Sequence, residues 1–268
     1  MTAVLDARLV EVVDRLTKAL HEQVVELQIT EAELRAALAY LTEVGAKDEF
    51  IILSDVLGVS VLVDEITHGG TENDATASNV EGPFYRLDAP MLSPPYALAR
   101  LDEPGDVLFV SGRVTDSGSG SPLEGAILDV WQANANGLYD KQVGESVNLR
   151  GKLPTDQEGM YEFRTIVPPP YEIPKHGPVG ALLRGLGRHA FRPAHLHLKV
   201  SKDGYAPLTT MVFISDDPYL GSDTIGAVKE SLIVRLERHE DHESIVRRGL
   251  DQPYLTCCFD ISLRPGDA

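Results

Sequence analysis

The period of the hydrophobic pattern changes near residue 70, and this change constrains the fold more than any other feature. Before it, Leu9, Val13 and Leu16 begin a series of apolar residues spaced by three or four, which is typical of one helical face. After it, short runs rich in Val, Ile, Phe and Tyr alternate with clusters of Gly, Pro, Asp and Ser. We therefore expect a mainly β chain with an α-helical N-terminal domain.

Three helices are predicted in the N-terminal part. The first covers about residues 5–28, and its apolar stripe ends with Leu27. The second begins at a Thr30–Glu33 capping box and stops at Gly45. The third, roughly Asp48–Thr67, is apolar nearly all round, so we expect it to be buried on most sides.

A polar stretch from Gly69 to Asn79 separates the two parts. It predicts a helical domain at residues 1–75, suited to dimerisation, and a β-sandwich domain at residues 76–268 that carries any active site. Seven short strands separated by turns predict an antiparallel sandwich or barrel, of which we expect the sandwich. The strand candidates are Val107–Val114, Ala126–Gln132, Tyr161–Ile166, His195–Val200, Leu208–Ile214, Ser231–Leu236 and Leu255–Leu263.

Charge and composition exclude several kinds of partner. The chain has 41 acidic and 24 basic residues, a net charge of −17, which repels nucleic acid and anionic lipid headgroups. The sequence contains no run of 18 apolar residues, so we expect no membrane span. Met1–Asp6 does not resemble a signal peptide. The two cysteines, Cys257 and Cys258, are adjacent, so a disulfide between them is not expected. These features together predict a cytoplasmic protein.

One strand candidate carries a potential metal-binding pair. His195 and His197 are two residues apart on a predicted strand, so their side chains point to the same face. Two imidazoles held side by side suit iron, copper, nickel or zinc, although two histidines on a solvated face would look the same. No HExxH motif and no cysteine pair of zinc-finger spacing accompanies them. Tyr139, in a loop after a strand, and Tyr171, after three stiff prolines, are further candidates or ordinary packing residues.

Further sequence motifs accompany these candidate residues and are distributed along nearly the whole chain. They are Thr30–Glu33, Leu53–Val59, Glu81–Tyr85, Asp129–Asn134, Gly137–Tyr139, Asn148–Gly151, Pro168–Tyr171, Gly187–His189, Arg192–His197, Gly204–Tyr205 and Asp217–Leu220. With these blocks the chain resembles the intradiol ring-cleavage dioxygenases, the catechol 1,2-dioxygenase group. The resemblance implies cleavage of a 1,2-dihydroxybenzene by O₂ to a cis,cis-muconate.

The resemblance also implies a non-haem ferric ion. Its ligands would be Tyr139, Tyr171, His195 and His197, and two phenolates would balance much of the charge of Fe(III). In the family's mechanism one tyrosinate is displaced and acts as a base, and by resemblance this is Tyr171. Arg192 would stabilise anionic charge near the reacting ring, or else form a structural salt bridge.

Pocket walls are implied by the same resemblance. The residues are Ile52, Asp55 and Val56 on the third helix, Val80, Gly82, Pro83, Phe84 and Tyr85, and Tyr254, Leu255 and Cys257. Met211 stands where the family usually carries a glutamine, which puts one hydrogen bond near the site in question.

The sequence leaves the ring substituents open. Catechol or a substituted catechol is the expected substrate, and hydroxyquinol and chlorocatechol are the alternatives. Asp55 and Tyr85 would hydrogen-bond a third ring hydroxyl, whereas Val56, Val80 and Met211 leave room for bulkier substituents. A non-catalytic β-sandwich binding module and a zinc hydrolase built on the histidine pair are more remote alternatives.

The first helix suggests an oligomer. Its long apolar residues exceed what its own small domain can cover, which predicts a homodimer through the N-terminal helices. A lipid held at that interface is compatible with the same stripe.

Overall fold

The computed structural model describes residues 6–69, 75–144 and 147–266. The chain forms two compact units, one up to Glu49 and one from Phe50 onward. The predicted domain boundary at 75/76 adjoins residues 70–74, and the segment considered as a signal peptide includes residues 1–5. Both segments lie outside the described residues, so these two expectations stay predictions.

The first unit is a pair of helices, α1 (Ala7–Glu26) and α2 (Glu31–Ala46). The predicted capping box is confirmed, because Thr30 accepts from the Glu33 N–H while the Glu33 carboxylate accepts from the Thr30 N–H. The apolar stripe of α1 is exposed in the single chain, and no residue of that helix is buried. Its exposed members are Leu9, Val13, Leu16, Leu20, Val24 and Leu27.

The prediction of one long third helix is wrong. The segment forms α3 (Phe50–Val56) and α4 (Val59–His68). Gly58 adopts φ +72°, which separates α3 from α4. The expected burial on most sides is also wrong, since only one side of α3 packs inward. Asp55 and Val56 are buried on that side, whereas Phe50 is 54% exposed.

The second unit has two five-stranded sheets, which confirms the β-sandwich. Its strands are β1 (Val107–Asp116), β2 (Ile127–Trp131), β3 (Arg150–Pro154), β4 (Met160–Ile166), β5 (Tyr171–Glu172), β6 (Phe191–Arg192), β7 (His195–Ser201), β8 (Leu208–Ile214), β9 (Ile233–Val234), β10 (Glu237–His239), β11 (Tyr254–Cys258) and β12 (Ile261–Leu263). Three short helices join them: α5 (Asp140–Val143), α6 (Pro178–Gly185) and α7 (His242–Arg247). One sheet has the order β10-β11-β1-β12 with β4 also on β1, the other has the order β3-β2-β7-β8-β9, and β5 pairs with β6.

The pairing is mixed rather than purely antiparallel. Strand β1 runs parallel to β11 and β12, and β8 runs parallel to β9. The predicted strand Leu255–Leu263 is two strands, because the chain turns between Cys258 and Ile261. The predicted strand Ser231–Leu236 is a 3-10 turn followed by the two-residue β9. Parallel pairing depends on long-range topology, which local alternation does not encode.

Two further sequence expectations are answered by the fold. Cys257 and Cys258 are both free, as predicted. Within the described residues, no helix combines the length and apolar character that crossing a bilayer requires.

Candidate active site

The two histidines lie in the middle of a sheet, not on a solvated face. Strand β7 pairs with β2 on one side and β8 on the other, which places His197 between Trp131 and Met211. His195 is 1% exposed and His197 is 2% exposed. Burying two imidazoles is costly unless their nitrogens have polar partners, so we expect other polar side chains to lie beside this strand.

Four side chains converge beside this strand. The Tyr139 hydroxyl oxygen lies 3.1 Å from Nε2 of His197 and 3.5 Å from Nε2 of His195. The two Nε2 atoms are 3.2 Å apart, and the Tyr171 hydroxyl lies 3.4 Å from that of Tyr139. The structure therefore brings all four predicted metal ligands together, through atoms that are able to bind a metal.

The backbone fixes which nitrogen of His195 faces the site. Its Nδ1 is 2.7 Å from the carbonyl oxygen of Pro193, and a carbonyl only accepts, so Nδ1 carries the proton. Nε2 is then the lone-pair nitrogen and points toward the cluster. Burial, reinforced by the nearby Arg192 guanidinium, holds the pKa of His195 well below its usual range, so the ring is neutral. Burial and His195 lower the pKa of His197 in the same way.

The tyrosines reach the cluster from two loops. Tyr139 precedes α5, its N–H donates to Gln142, and its ring stacks on Phe84 with centroids 4.6 Å apart. Tyr171 begins β5 and is paired in register with Arg192 on β6. Burial raises the pKa of the Tyr139 hydroxyl well above its usual value, and the neighbouring Tyr171 adds to this. A cation placed among these oxygens would reverse that preference, because it stabilises phenolate.

Tyr171 packs directly against Gly137, where only a residue without a side chain leaves space for it. This glycine has φ +74°, and a Cβ at its position would lie 2.7 Å from the Cβ of Tyr171. An L side chain would therefore be strained in its backbone and would push against the tyrosine. The Gly137–Tyr139 segment supplies one candidate ligand and leaves space for the other.

Arg192 is both an ion-pair member and a site residue. Its guanidinium is buried and contacts Asp223 through Nε at 3.2 Å and Nη2 at 3.5 Å. Nη1 lies 3.2 Å from Nε2 of His195, and Nη2 donates to the Met211 sulfur at 3.3 Å. The two interpretations of Arg192 are thus compatible, since Asp223 holds its charge against the cluster.

The donor chemistry of the cluster fits a trivalent oxygen- and nitrogen-binding metal. No group of three or more His, Cys, Asp or Glu side chains suited to a metal occurs among residues 6–69, 75–144 and 147–266. A zinc-hydrolase ligand set built on the histidine pair therefore has no third conventional ligand in that part of the chain. Two neutral imidazoles and two ionisable phenols remain, which is a donor set for a hard, highly charged ion.

A cavity adjoins the cluster. Its walls hold Tyr171, Arg192 and His197, together with the predicted Ile52, Asp55, Val80, Gly82, Pro83 and Phe84. Sequence reasoning missed Ile173, Pro174 and Ile225, which also line it. The first two directly follow Tyr171 in the chain, and that proximity was a usable signal. Ile225 comes from a loop with no distinguishing pattern.

Six predicted pocket residues do not line this cavity. Tyr254, Leu255 and Cys257 are on β11, which belongs to the other sheet, and Tyr254 packs on Phe109 and Ile245 there. The expectation that they form a pocket wall is therefore corrected.

The other three adjoin or contact residues of the wall. Tyr85 donates its hydroxyl to Asp129 at 3.1 Å. Val56 is buried beside Asp55, and its carbonyl accepts from Arg188. Met211 is buried below Arg192 and touches it through sulfur. None of the three is among the residues that line this cavity, and their places on the wall stay predictions.

Comparison with known proteins agrees with this architecture. Residues 80–265 match the family model described as Dioxygenase, and residues 6–75 match the model described as Catechol dioxygenase N terminus. A hydroxyquinol 1,2-dioxygenase of Rhizobium sp. (strain MTP-10005) is 46% identical over 252 residues, which cover 91% of this chain and 84% of the relative. A catechol 1,2-dioxygenase of Acinetobacter baylyi is 36% identical, over 96% of this chain and 85% of the relative.

Solved structures give the same result. A catechol 1,2-dioxygenase from Acinetobacter sp. ADP1 superposes with a TM-score of 0.90 at 34% identity, covering 98% of this chain and 88% of that one. A hydroxyquinol 1,2-dioxygenase from Pseudomonas putida DLL-E4 superposes with a TM-score of 0.89 at 38% identity, covering 98% of this chain and 94% of that one. The resemblance found in the sequence is confirmed. The chain belongs to the intradiol ring-cleavage dioxygenases, a family of oxidoreductases that act on aromatic diols and are generally non-haem iron(III) enzymes.

Proposed function

We propose that this enzyme cleaves the ring of hydroxyquinol, a benzene with hydroxyls at positions 1, 2 and 4, between its two adjacent hydroxyls. The observation that carries the proposal is the carboxyl group of Asp55, which lies in the wall of the cavity beside the candidate metal ligands. Relatives named hydroxyquinol 1,2-dioxygenase are 46%, 38% and 36% identical, and a catechol 1,2-dioxygenase is 36% identical, so similarity favours hydroxyquinol only through the first of these relatives.

The Asp55 carboxyl is the acidic group of this wall. It is 6% exposed, and most of the wall around it is apolar, including Ile52, Val80 and Ile225. Burial raises its pKa, partly offset by a hydrogen bond from Ser60. A third ring hydroxyl would donate to this carboxyl. Catechol has no such hydroxyl and would leave it without that partner.

We propose that Tyr139, Tyr171, His195 and His197 hold iron(III). The fit rests on the mutual distances of 3.1 to 3.5 Å among their donor atoms and on the fixed tautomer of His195. Iron(III) held by these residues would supply the Lewis acidity and the redox chemistry that ring cleavage by O₂ requires. The side chains of the cavity would orient the ring, exclude water and accept the protons that the diol releases.

The two tyrosines differ in their access to the substrate. Tyr171 lines the cavity, whereas Tyr139 is fully buried behind Phe84. A proton released by the incoming diol therefore reaches the Tyr171 oxygen first, which makes Tyr171 the proposed base. Arg192, held by Asp223, places a fixed positive charge beside the same cavity and stabilises the anionic diol.

The test of the substrate is a ratio of kcat/KM values for hydroxyquinol, catechol and a chlorocatechol. We expect hydroxyquinol to be preferred over catechol by roughly 10- to 100-fold, because a hydrogen bond to a charged group contributes about 1.5–3 kcal/mol. The variant Asp55→Leu should lose most of this preference. Ile52→Val, which changes the same wall without changing its polarity, should keep it.

Two results would contradict the proposal. One is a wild-type enzyme that prefers catechol and whose preference does not change in Asp55→Leu. The other is a preference for the chlorocatechol, which would assign the chain to that substrate class instead.

We also propose that two copies of the chain associate through α1. The stripe from Leu9 to Leu27 is exposed along the whole helix, and Leu16 and Leu20 are 61% and 66% exposed. A continuous apolar stripe of this length favours a two-fold partner. Light scattering should give a dimer for the wild type and a monomer for Leu16→Glu/Leu20→Glu. A wild-type monomer would contradict the proposal, and lipid extraction would show whether an acyl chain shares the interface.

A further inference from the structure

We propose that Arg188 is a positioning residue that sets the spacing of the substrate cavity, an inference that rests in part on the proposed role of Asp55. Arg188 follows α6 and does not line the cavity. Its guanidinium nevertheless reaches the backbone carbonyls of two residues that directly adjoin wall residues, because Val56 follows Asp55 and Thr224 precedes Ile225. Nη1 donates to the Val56 carbonyl at 2.9 Å, and Nη2 donates to the Thr224 carbonyl at 2.5 Å.

The first of these bonds holds the end of the helix that carries Asp55. Val56 is the last residue of α3, and Gly58 then takes φ +72° and breaks the helix before α4. Carbonyls at a helix end have no partner within the helix, and they carry the negative end of the helix dipole. A guanidinium there supplies both a donor and a positive charge. Asp55, one residue earlier, is therefore held in place through the Arg188 bond.

The second bond holds the loop that supports Arg192. Thr224 lies between Asp223, which pairs with Arg192, and Ile225, which lines the cavity. The Thr224 hydroxyl also donates to the carbonyl of His189, so the loop is attached at the residue next to Arg188 as well. The Arg188 guanidinium thus connects the end of α3, which carries Asp55, to the 223–225 loop, which holds Arg192.

The planar fork of arginine is suited to this bridge. It presents parallel N–H donors at fixed geometry, whereas a lysine ammonium is a single point donor on a flexible stem. Arg188 would hold both carbonyls at one separation, and the shorter ammonium of an Arg188→Lys variant would engage one at a time. The bridge should therefore act on substrate fit more than on the chemical step, because Arg192 keeps its direct contact with Asp223.

The test compares Arg188→Gln and Arg188→Lys with the wild type in steady-state kinetics on hydroxyquinol and catechol. For Arg188→Gln we expect KM for hydroxyquinol to rise about tenfold, with kcat within about twofold, and KM for catechol to rise less. Arg188→Lys should recover only part of this loss. Arg238→Gln is the control, because it removes the same charge from an exposed pair with Glu240, and its kinetics should match the wild type.

The outcomes separate this inference from the proposed function. If Asp55→Leu changes the substrate ratio but Arg188→Gln leaves both KM values unchanged, the positioning role is overturned and the proposed function stands. A loss of kcat and melting temperature with unchanged KM overturns it too, since that indicates a merely structural residue. If the wild type does not prefer hydroxyquinol, the proposed function fails, and the rise in KM for catechol alone then decides the role of Arg188.

Discussion

The indole of Trp131 lies flat on the imidazole of His197, with ring centroids 4.8 Å apart and planes 8° from parallel. The two residues are register partners on β2 and β7, and both are buried. Nδ1 of His197 has no hydrogen-bond partner among the described residues. Among the described residues, the stacking contact with Trp131 therefore supports the orientation of this imidazole, in the place of the side-chain or backbone acceptor that usually orients a metal-binding histidine.

Replacing Trp131 should thus affect stability and metal binding together. Trp131→Ala should lower the free energy of unfolding by about 3–5 kcal/mol, because it opens a cavity in the core. Iron affinity should fall by roughly 10- to 100-fold as the His197 ring loses its support. Trp131→Phe keeps an aromatic face and should retain most iron, as measured by metal analysis after dialysis. Full iron retention in a folded Trp131→Ala protein would show that stacking does not orient the ring.

Gly137→Ala should damage activity through Tyr171. The added Cβ would lie 2.7 Å from the Tyr171 Cβ, so the tyrosine must move. Gly120→Ala is a matched control, because Gly120 has φ +71° and nothing within 4 Å of an added Cβ. Both variants should lose comparable stability from backbone strain, of about 1 kcal/mol. Only Gly137→Ala should lose kcat, by about 10²-fold. Equal kcat in the two variants would contradict the account.

Asp223→Asn should weaken the support of Arg192. Removing one charge from a buried ion pair typically costs about 3–5 kcal/mol, because the remaining charge is buried without compensation. We expect lower stability in denaturant titrations and a fall in kcat. Asp241→Asn is the control, since Asp241 caps the exposed start of α7 and asparagine caps equally well. An Asp223→Asn enzyme with normal kcat would show that Arg192 needs no such support.

The four candidate metal ligands were more predictable from sequence than the residues that support them. Alternation on one strand placed His195 and His197 on one face, and the motif blocks supplied Tyr139 and Tyr171, because local spacing and sequence blocks carry that information. The supports of these residues are non-local. Asp223 comes from a loop 31 residues after Arg192, and no periodicity links the two.

The errors in the pocket have a similar origin. Tyr254 and Cys257 were expected on the wall, but β11 joins the opposite sheet through parallel pairing with β1. Strand order is decided by packing across the whole domain, which alternation in one strand does not report. The break at Gly58 was also missed, because a glycine within an apolar run is compatible with either a continuous helix or a cap.

Asp55 should make stability depend on pH in a defined direction. Burial raises the pKa of the Asp55 carboxyl above its ordinary value of 3.8, and the negative charge of Asp223 adds to this. A hydrogen bond from Ser60 and the positive charge of Arg192 partly lower it again. A carboxyl with a raised pKa in the folded state favours the protonated form, so its contribution is fully present below the unfolded pKa. That contribution is lost as the pH rises through the folded pKa.

The check is urea denaturation of the wild type and Asp55→Asn at a series of pH values. The wild type should lose stability relative to Asp55→Asn as the pH rises above about 4, the ordinary pKa of an aspartate, and through the raised pKa of the folded state. A difference that does not change with pH, or that grows in favour of the wild type, would show that the neighbours of Asp55 already compensate its charge.

The most direct test of the four-residue metal site is the visible absorption spectrum of the iron-loaded protein, read together with its metal content. Phenolate ligands to iron(III) give a charge-transfer band, so the wild type should be coloured and hold about one iron per chain. Tyr171→Phe should keep its iron, show a shifted and weaker band, and lose most turnover. A colourless wild type that retains zinc instead of iron and consumes no diol would contradict the account.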